Sequence, residues 1–330
     1  MSRADRRDAL LERAGARGAS GVVLRTFADV AWYTGGFDVR IDRSAPSGST
    51  VVLVTLAGEW VITDVIEGPR LRDEEPTLRD LDIVEHPWTA GPDEQVRELA
   101  GGGLVLEAED VGIDDLRMVL DDEAIERYRI LGRDLTAAFD EVAASVTPET
   151  TELEAAGRLA AAGWAAGVHA PVLLVAGAER IPRYRHPLPT PAPVGDRVMF
   201  VAGFERGGLF ASSTRFVHFR EPDGELARRF AATDEILRRM REEASRPGRT
   251  LGEAFADCRR FYAEVGFADE WQLHHQGGIA GYHSREALGR PDEPTVIRPG
   301  MAFAWNPSIT GAKSEETFVL LEGGSTEVLA

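Results

Sequence analysis

A long amphipathic pattern over residues 123–146 divides the sequence into two differently organised parts. Its apolar positions recur at helical spacing and predict a helix with one buried face: Ile125, Leu131, Leu135, Phe139 and Val142. Because one domain spans about 100–200 residues, a chain of 330 residues is expected to form two domains. The composition also shifts near Asp121, so we predict domains over residues 1–120 and 121–330.

The two parts differ in the order of their predicted elements. Residues 1–120 alternate helix and strand patterns, which indicates a small α/β domain. In residues 121–330 helix patterns come first and also separate the strand patterns, most of which lie towards the end of the sequence. This order favours an α+β domain. The predicted strands include residues 110–113 in the first part and 198–201, 271–281, 301–307 and 316–321 in the second.

Charge and composition exclude several classes of protein. The formal net charge of −18 would repel a polyanion, so nucleic acid is not an expected partner. The sequence lacks the run of about 18 apolar residues that a membrane span needs. Cys258 is the single cysteine, which rules out a disulfide within the chain. With no apolar segment after the basic N-terminal residues, a signal peptide is not expected, and we predict a cytoplasmic protein.

Histidines mark two candidate sites. His274, His275 and His283 lie within ten residues of each other in a run with Gln276 and several glycines, which allow a ligand to approach the backbone. This run predicts a binding site, and a glycine-rich bulge with solvated histidines is the alternative. His186 lies in a proline-rich loop, where it is either functional or a surface histidine.

Charged residues near two predicted strands supply further candidates. Lys313, the one lysine among 37 basic residues, shares a strand face with Glu315, while Glu316 points the opposite way. Lys313 could pair with Glu315 or bind a substrate anion, or it could be solvated. Arg285 could bind an anionic substrate group or form a surface pair with its neighbour. Asn306 ends an apolar strand and could equally be a turn residue.

Six motifs in a fixed order resemble the M24 peptidase family, which includes aminopeptidase P, prolidase, methionine aminopeptidase and creatinase. The motifs begin at Ala31 (AWYTGG), Val146 (VTPETTELE), His186 (HPLP), Gly195 (GDRVMFVAG), Pro299 (PGMAF) and Gly311 (GAKSEET). The resemblance implies a creatinase-like N-terminal domain and a "pita-bread" catalytic-like C-terminal domain. It also implies a homodimer.

The family's dinuclear metal site uses two aspartates, a histidine and two glutamates, and this sequence departs from that set. By resemblance the five positions fall on Val201, Ser212 (or Ser213 in another register), His275, Asn306 and Glu315. One histidine and one glutamate cannot hold two cations, because hard divalent ions need several oxygen ligands. We therefore expect no metal and no other cofactor.

What remains resembles creatinase, a metal-free member of the family that uses histidine as acid or base. The resemblance implies a metal-independent enzyme that hydrolyses, or eliminates at, a C–N bond of a small polar substrate or short peptide. The expected catalytic residues are His186, His275 and Glu315. The expected substrate-binding residues are His274, Gln276, His283, Asn306, Lys313, Ser212 and Arg285. The alternatives are a metal-dependent Xaa-Pro peptidase with an atypical site and an inactive binding protein.

Overall fold

The computed structural model describes residues 1–43, 45 and 47–330. The chain divides into two compact units. Unit 1 comprises Met1–Arg117 and Asp121–Glu123, and unit 2 comprises Met118–Leu120 and Ala124–Ala330. Mixed α/β structure is present in both, as the sequence predicts.

Unit 1 is built on one mixed sheet. Its elements are α1 (Arg3–Gly15), β1 (Gly21–Thr26), α2 (Phe27–Thr34), β2 (Ser47–Thr55), β3 (Glu59–Asp64), α3 (Gly68–Glu74), β4 (Asp82–His86), α4 (Asp93–Leu99), β5 (Val105–Glu107) and α5 (Ile113–Arg117). The strand order is β4-β3-β2-β1-β5, with β1 antiparallel to β2 and parallel to β5. Ser2 caps α1 by accepting from the backbone of Asp5, whose carboxylate accepts from Ser2 in return.

Unit 2 begins with two helices, and the strands follow. Its elements are α6 (Asp122–Ser145), whose first two residues belong to unit 1, α7 (Glu152–Ala165), β6 (His169–Gly177), β7 (Arg197–Arg206), β8 (Leu209–His218), α8 (Gly224–Arg239), α9 (Leu251–Glu264), β9 (Gly277–Ala280), β10 (Ala287–Leu288), β11 (Ala302–Trp305), β12 (Ser308–Ile309), β13 (Ala312–Lys313), β14 (Glu316–Leu320) and β15 (Thr326–Val328). A π-helical turn over Met240–Ala244 extends α8.

Three groups of strands position the site in unit 2. One sheet has the order β6-β7-β8, a second has the order β10-β9-β11-β14-β15, and β12 pairs with β13. Backbone hydrogen bonds join the first two sheets, from Thr214 to the carbonyl of Glu315 at 3.2 Å and from Phe210 to that of Gly281 at 2.9 Å. The middle of β8 therefore lies beside the segment between β13 and β14.

The core of unit 2 forms between α8, α9 and the second sheet. Ile236 of α8, Phe261 of α9 and Phe303 of β11 are fully buried in one cluster. Burial of large apolar side chains contributes about 1.5–3 kcal/mol each and supports the site's strands on this side. None of the helices in the described part of the chain is both long and apolar enough to cross a membrane.

One predicted strand is wrong, and a second is shorter than predicted. Residues 108–111 form a 3-10 turn that ends at Gly112 in the left-handed conformation (φ 66°). Asp114 and Asp115 then favour the first turn of α5 over a strand. The segment predicted as a strand over 271–281 begins with a 3-10 turn at Glu270–Leu273 and becomes a strand at Gly277.

Candidate functional site

A cavity of about 600 Å³ lies within unit 2. This volume suits a small organic ligand. The apolar part of its wall consists of Pro171, Val172, Leu173, Leu174, Leu188, Val201 and Leu288. The polar part consists of His186, Ser212, His275, Ser284, Arg285, Asn306, Lys313 and Glu315. Seven residues that the sequence singled out are thus brought to one cavity from separate segments of the chain.

The carboxylate of Glu315 contacts three neighbouring side chains. The ammonium of Lys313 lies 2.9 Å from its Oε2, and Nη2 of Arg285 lies 3.1 Å from its Oε1. Thr214 donates a further hydrogen bond to Oε2 at 2.8 Å. Burial acts to raise the pKa of Glu315, but the charges of Lys313 and Arg285 outweigh it and hold that pKa at about 2. The carboxylate is therefore ionised and engaged at both oxygens.

The strand geometry explains the pairing of Lys313 with Glu315. Residues two apart share a strand face, so Lys313 and Glu315 point to the same side. Glu316 points the opposite way, where it pairs with Arg241, and Ser314 donates to Thr233 at 2.9 Å on that side. The predicted division of this segment into two faces is present in the structure.

Arg285 approaches Glu315 from a different part of the chain. Its Nη1 contacts the carbonyl of Ser284 at 2.5 Å and lies 3.4 Å from Oγ of Ser212. The sequence left open a surface pair between Arg285 and Glu286, and the structure excludes it as the main contact. Glu286 instead accepts from the backbone of Tyr282 at 2.9 Å.

Three histidines form a second group beside the carboxylate. Nε2 of His274 lies 2.8 Å from Nε2 of His186, so the two rings share one hydrogen bond. The ring of His275 stacks on that of His274, with centroids 4.5 Å apart. His274 is buried, whereas His186 and His275 are exposed and line the cavity. No hydrogen bond to the ring of His275 is found among the described residues, so its nitrogens are available to a ligand or water.

The environment keeps these histidines neutral. Loss of hydration, with the charge of Lys313 adding to it, lowers the pKa of His274 to about 2. The same loss, with Arg285 as the next cause, lowers the pKa of His275 to about 4. Desolvation and Lys313 also lower the pKa of His186. At neutral pH each ring is therefore uncharged.

A buried glutamate at the start of α7 anchors the loop that carries His186. Glu152 accepts from the backbone of Gly177 at 2.8 Å and from the backbone and hydroxyl of Thr190 at 2.9 and 2.7 Å. It also pairs with Arg180, so both ends of the loop are held by one carboxylate. The prolines at 187, 189, 191 and 193 restrict the backbone of this loop further. Glu152 is a positioning residue that lies within the predicted TELE motif.

Two expected substrate-binding residues lie elsewhere. The side chain of Gln276 is buried behind β9, where it accepts from Tyr262 at 2.8 Å and donates to the carbonyl of His274 at 2.6 Å. Its polar atoms are thus used to fix the backbone that presents the histidines. His283 is exposed and outside the cavity lining, because the chain turns at Gly281–Ser284 before Arg285 enters the site.

The sequence analysis missed Thr214, which holds Glu315 from β8. Ser212 and Thr214 are two residues apart on one strand, so they share a face. Because Ser212 was already a candidate, this alternation could have identified Thr214 from the sequence. Leu188 and Leu288 were also missed, because a single exposed leucine, in a loop or in a two-residue strand, carries no pattern of its own.

The donors in this cavity do not fit a dinuclear cation site. Val201, Ser212 and Asn306 line the cavity together with Glu315, so the positions expected from the resemblance do meet. Among the described lining residues Glu315 is the one carboxylate, and two cationic side chains already engage it. Bridging carboxylates are what a two-metal site requires.

The three histidines are a separate possible ligand set. His186, His274 and His275 each offer a ring nitrogen, and these atoms lie within 4.8 Å of one another. Two features oppose an ion there. The second ring nitrogen of His274, Nδ1, is buried without a partner, whereas metal-ligating histidines ordinarily donate from that nitrogen. Lys313 and Arg285 also place positive charge beside the group.

Comparisons with known proteins agree on the fold. The sequence model of the family described as "Metallopeptidase family M24" matches residues 126–322. A curated protein named "Probable dipeptidase PepE" from Mycobacterium tuberculosis is 30% identical over 223 residues, which cover 64% of this chain and 59% of that protein. The match thus spans less than two thirds of the relative's length.

Solved structures match over almost the whole chain. A dipeptidase PepE from Mycobacterium ulcerans superposes with a TM-score of 0.78 at 20% identity, covering 99% of this chain and 95% of that one. An Xaa-Pro dipeptidase from Bacillus anthracis gives a TM-score of 0.80 at 19% identity, covering 99% and 97%. At such identities the likeness shows the two-domain pita-bread fold.

Proposed function

Since the chain belongs to metallopeptidase family M24, we propose that it is a metal-independent hydrolase that cleaves a C–N bond of a small polar substrate by histidine acid–base chemistry. The observation that carries this proposal is the unpartnered, cavity-lining ring of His275, which is neutral at pH 7 and lies against the hydrogen-bonded pair of His186 and His274. A neutral imidazole facing a ligand-sized cavity is the group that base catalysis needs.

The proposed reaction passes one proton through His275. His275 accepts a proton from water, and the resulting hydroxide adds to the carbonyl carbon of the substrate's amide. The C–N bond then breaks, and His275 gives the same proton to the leaving nitrogen, so that water and amide yield a carboxylic acid and an amine and His275 is again neutral. The bond between His186 and His274 orients a second ring that faces the same cavity. The carboxylate of Glu315 holds Lys313 and Arg285 in place and has no free oxygen with which to act as a nucleophile.

Turnover by metal-free protein tests this function. The purified protein is treated with a chelator, shown by elemental analysis to be free of stoichiometric zinc, manganese and cobalt, and assayed against N-acylated amino acids, dipeptides, lactams and amidines. We expect cleavage of at least one of these classes without added metal. Substituting His275→Gln should lower kcat by about 100-fold or more, the usual contribution of a general base.

A matched control uses another histidine of unit 2. His218 ends β8 and lies outside the cavity lining, so His218→Gln should keep the parent rate. Activity that depends on one or two equivalents of added metal would contradict the proposal. So would an active His275→Gln variant.

A second candidate is a metal-dependent dipeptidase, which the names of the relatives favour. It needs cation ligands that Val201, Ser212 and Asn306 do not supply. Metal analysis of active protein separates the two candidates. A folded protein that binds ligands in this cavity but turns none over would instead indicate a pure binding role.

A further inference from the structure

We propose that the cavity selects N-acylated carboxylic acids, that is, small ligands with one carboxylate, a secondary amide, an apolar body and no ammonium group. The inference rests on the proposed function in taking this cavity as the substrate site and adds the class of substrate. It follows from charge, from an unpartnered buried acceptor and from the apolar wall, which are independent features of the cavity.

The first feature is an excess of positive charge. Among the described residues that line the cavity, the cations are Lys313 and Arg285 and the anion is Glu315. With neutral histidines, two positive charges and one negative charge leave one positive charge uncompensated. Arg285 lines the cavity, and its guanidinium is held in place through Nη1 by the carbonyl of Ser284 and through Nη2 by Glu315. A single ligand carboxylate completes the balance.

The second feature is the lack of a place for an ammonium group. A bound ammonium needs a carboxylate or several free acceptors, since a buried unpaired charge is costly. Both oxygens of Glu315 are already occupied, by Lys313 and Thr214 on one side and by Arg285 on the other. A ligand amine would therefore face uncompensated positive charge. A peptide with a free amino terminus is disfavoured relative to the same compound without it.

The third feature is the side-chain amide of Asn306. This residue is 2% exposed and lines the cavity, and its Oδ1 is buried without a hydrogen-bond partner among the described residues. A buried acceptor without a partner is unfavourable, and pairing it with a ligand donor removes that cost. A secondary amide in the ligand offers both a donor and an acceptor, so it matches the side chain of Asn306 in either orientation.

The apolar wall indicates what the rest of the ligand resembles. Val172, Leu188 and Leu288 are each partly exposed although they line a cavity, and Val201 adds an apolar side chain at the position where the resemblance places a metal-binding aspartate of the family. Covering such surface with an apolar group is favourable. An aliphatic side chain of leucine size can make these contacts.

Three probes separate the contributions of charge. N-acetyl-L-leucine carries the carboxylate and no amine, N-acetyl-L-leucinamide lacks the carboxylate, and glycyl-L-leucine adds an ammonium to nearly the same skeleton. Binding is measured by isothermal titration calorimetry at pH 7 with metal-free protein. We expect N-acetyl-L-leucine to bind at least about tenfold more tightly than either of the others, because it alone forms a charge-assisted bond without an uncompensated amine.

Charge variants show whether the preference comes from Lys313 and Arg285. Lys313→Met removes the excess charge and should abolish the preference for the acid over its amide. Lys313→Arg should keep it. The double variant Lys313→Met with Glu315→Gln restores one uncompensated cation, Arg285, and should restore the preference. Arg220→Met removes an exposed cation outside the cavity and is the matched control.

The outcomes distinguish this inference from the proposed function. Equal binding of N-acetyl-L-leucine and its amide, tighter binding of glycyl-L-leucine, or an unchanged preference in folded Lys313→Met would overturn the inference. Selective binding of the acid without any cleavage would leave the inference standing and contradict the hydrolase. Cleavage of neutral amides without selectivity for acids would support the hydrolase and contradict the inference about its substrate class.

Discussion

At the scale of single residues, His274 is the buried member of the group of three histidines. Its ring is 8% exposed, bonds to His186 through Nε2 and stacks on His275. Because burial and the charge of Lys313 oppose protonation, the folded protein holds this ring neutral far below the ordinary pKa of histidine. Unfolding releases it to take up a proton, which links the stability of the protein to pH.

We predict that the free energy of unfolding falls as pH decreases below about 6.5, the pKa of an unfolded histidine. The folded pKa of His274 is depressed, so the stability is fully present above the unfolded pKa and is lost on acidification. Between about pH 6 and 4, His274→Gln should flatten the slope by up to one proton, or about 1.4 kcal/mol per pH unit. Urea denaturation across this pH range measures the slope.

The control for this prediction is His283→Gln, which changes an exposed histidine of the same sequence run. It should keep the slope of the parent. A His274→Gln variant whose unfolding free energy depends on pH as the parent's does would show that His274 is protonated in the folded state.

At the scale of elements, β9 owes its position to two glycines. Gly277 has φ 94°, and an added Cβ would lie 2.0 Å from the carbonyl oxygen of Ala304 on the neighbouring strand β11. Gly278 has φ 156°, and its Cβ would lie 2.1 Å from the carbonyl oxygen of Ala287 on β10. The strand therefore packs against both neighbours at distances that only glycine permits, and this close packing places His275 at the cavity.

We predict that Gly277→Ala destabilises the protein by about 3 kcal/mol, because the clash with backbone adds to the strain of positive φ. The comparison is Gly157→Ala in the interior of α7, where no atom lies within 4 Å of an added Cβ. That change should stabilise by up to about 1 kcal/mol, since alanine favours the helix. Chemical denaturation of both variants measures these two opposite changes in the free energy of unfolding. A Gly277→Ala variant as stable as the parent would show that β9 can move away from β11.

At the scale of the whole molecule, the two units carry different parts of the evidence. The family match covers residues 126–322, which lie entirely within unit 2. Every residue that lines the cavity lies in that unit as well. The structural matches extend over unit 1 as well. The family fold is thus retained across the described chain.

We predict that the protein is a homodimer, because members of the creatinase and prolidase branch that it resembles commonly pair, with the small domain helping to close the neighbouring site. Light scattering coupled to size exclusion at micromolar concentration should give twice the mass of 35.9 kDa. A stable monomer that binds N-acetyl-L-leucine would contradict the prediction and show that one chain forms the complete site.

Much of the fold and part of the site were predictable from local pattern. The order of six motifs led to the M24 fold, and the comparisons confirm it. The resemblance also predicts that Val201, Ser212 and Asn306 stand where the family has carboxylates, because that prediction depends only on residue identity at positions that the motifs define. The pairing of Lys313 with Glu315 was predicted from strand alternation, and the two side chains do meet, although Glu315 lies in the short link between β13 and β14.

Only the tertiary structure determines which groups the carboxylate of Glu315 contacts. Arg285 reaches Glu315 across a separation of 30 residues, and His274 reaches His186 across a separation of 88 residues. Such contacts depend on how the sheets join, which no local period encodes. They determine which charges meet in the cavity and the protonation of its histidines, because electrostatic interactions depend on distance and burial in space. Most polar residues of the site could therefore be named from the sequence, which left an anionic ligand open as one option for Lys313 and Arg285, whereas the excess of positive charge in the cavity follows only from the fold.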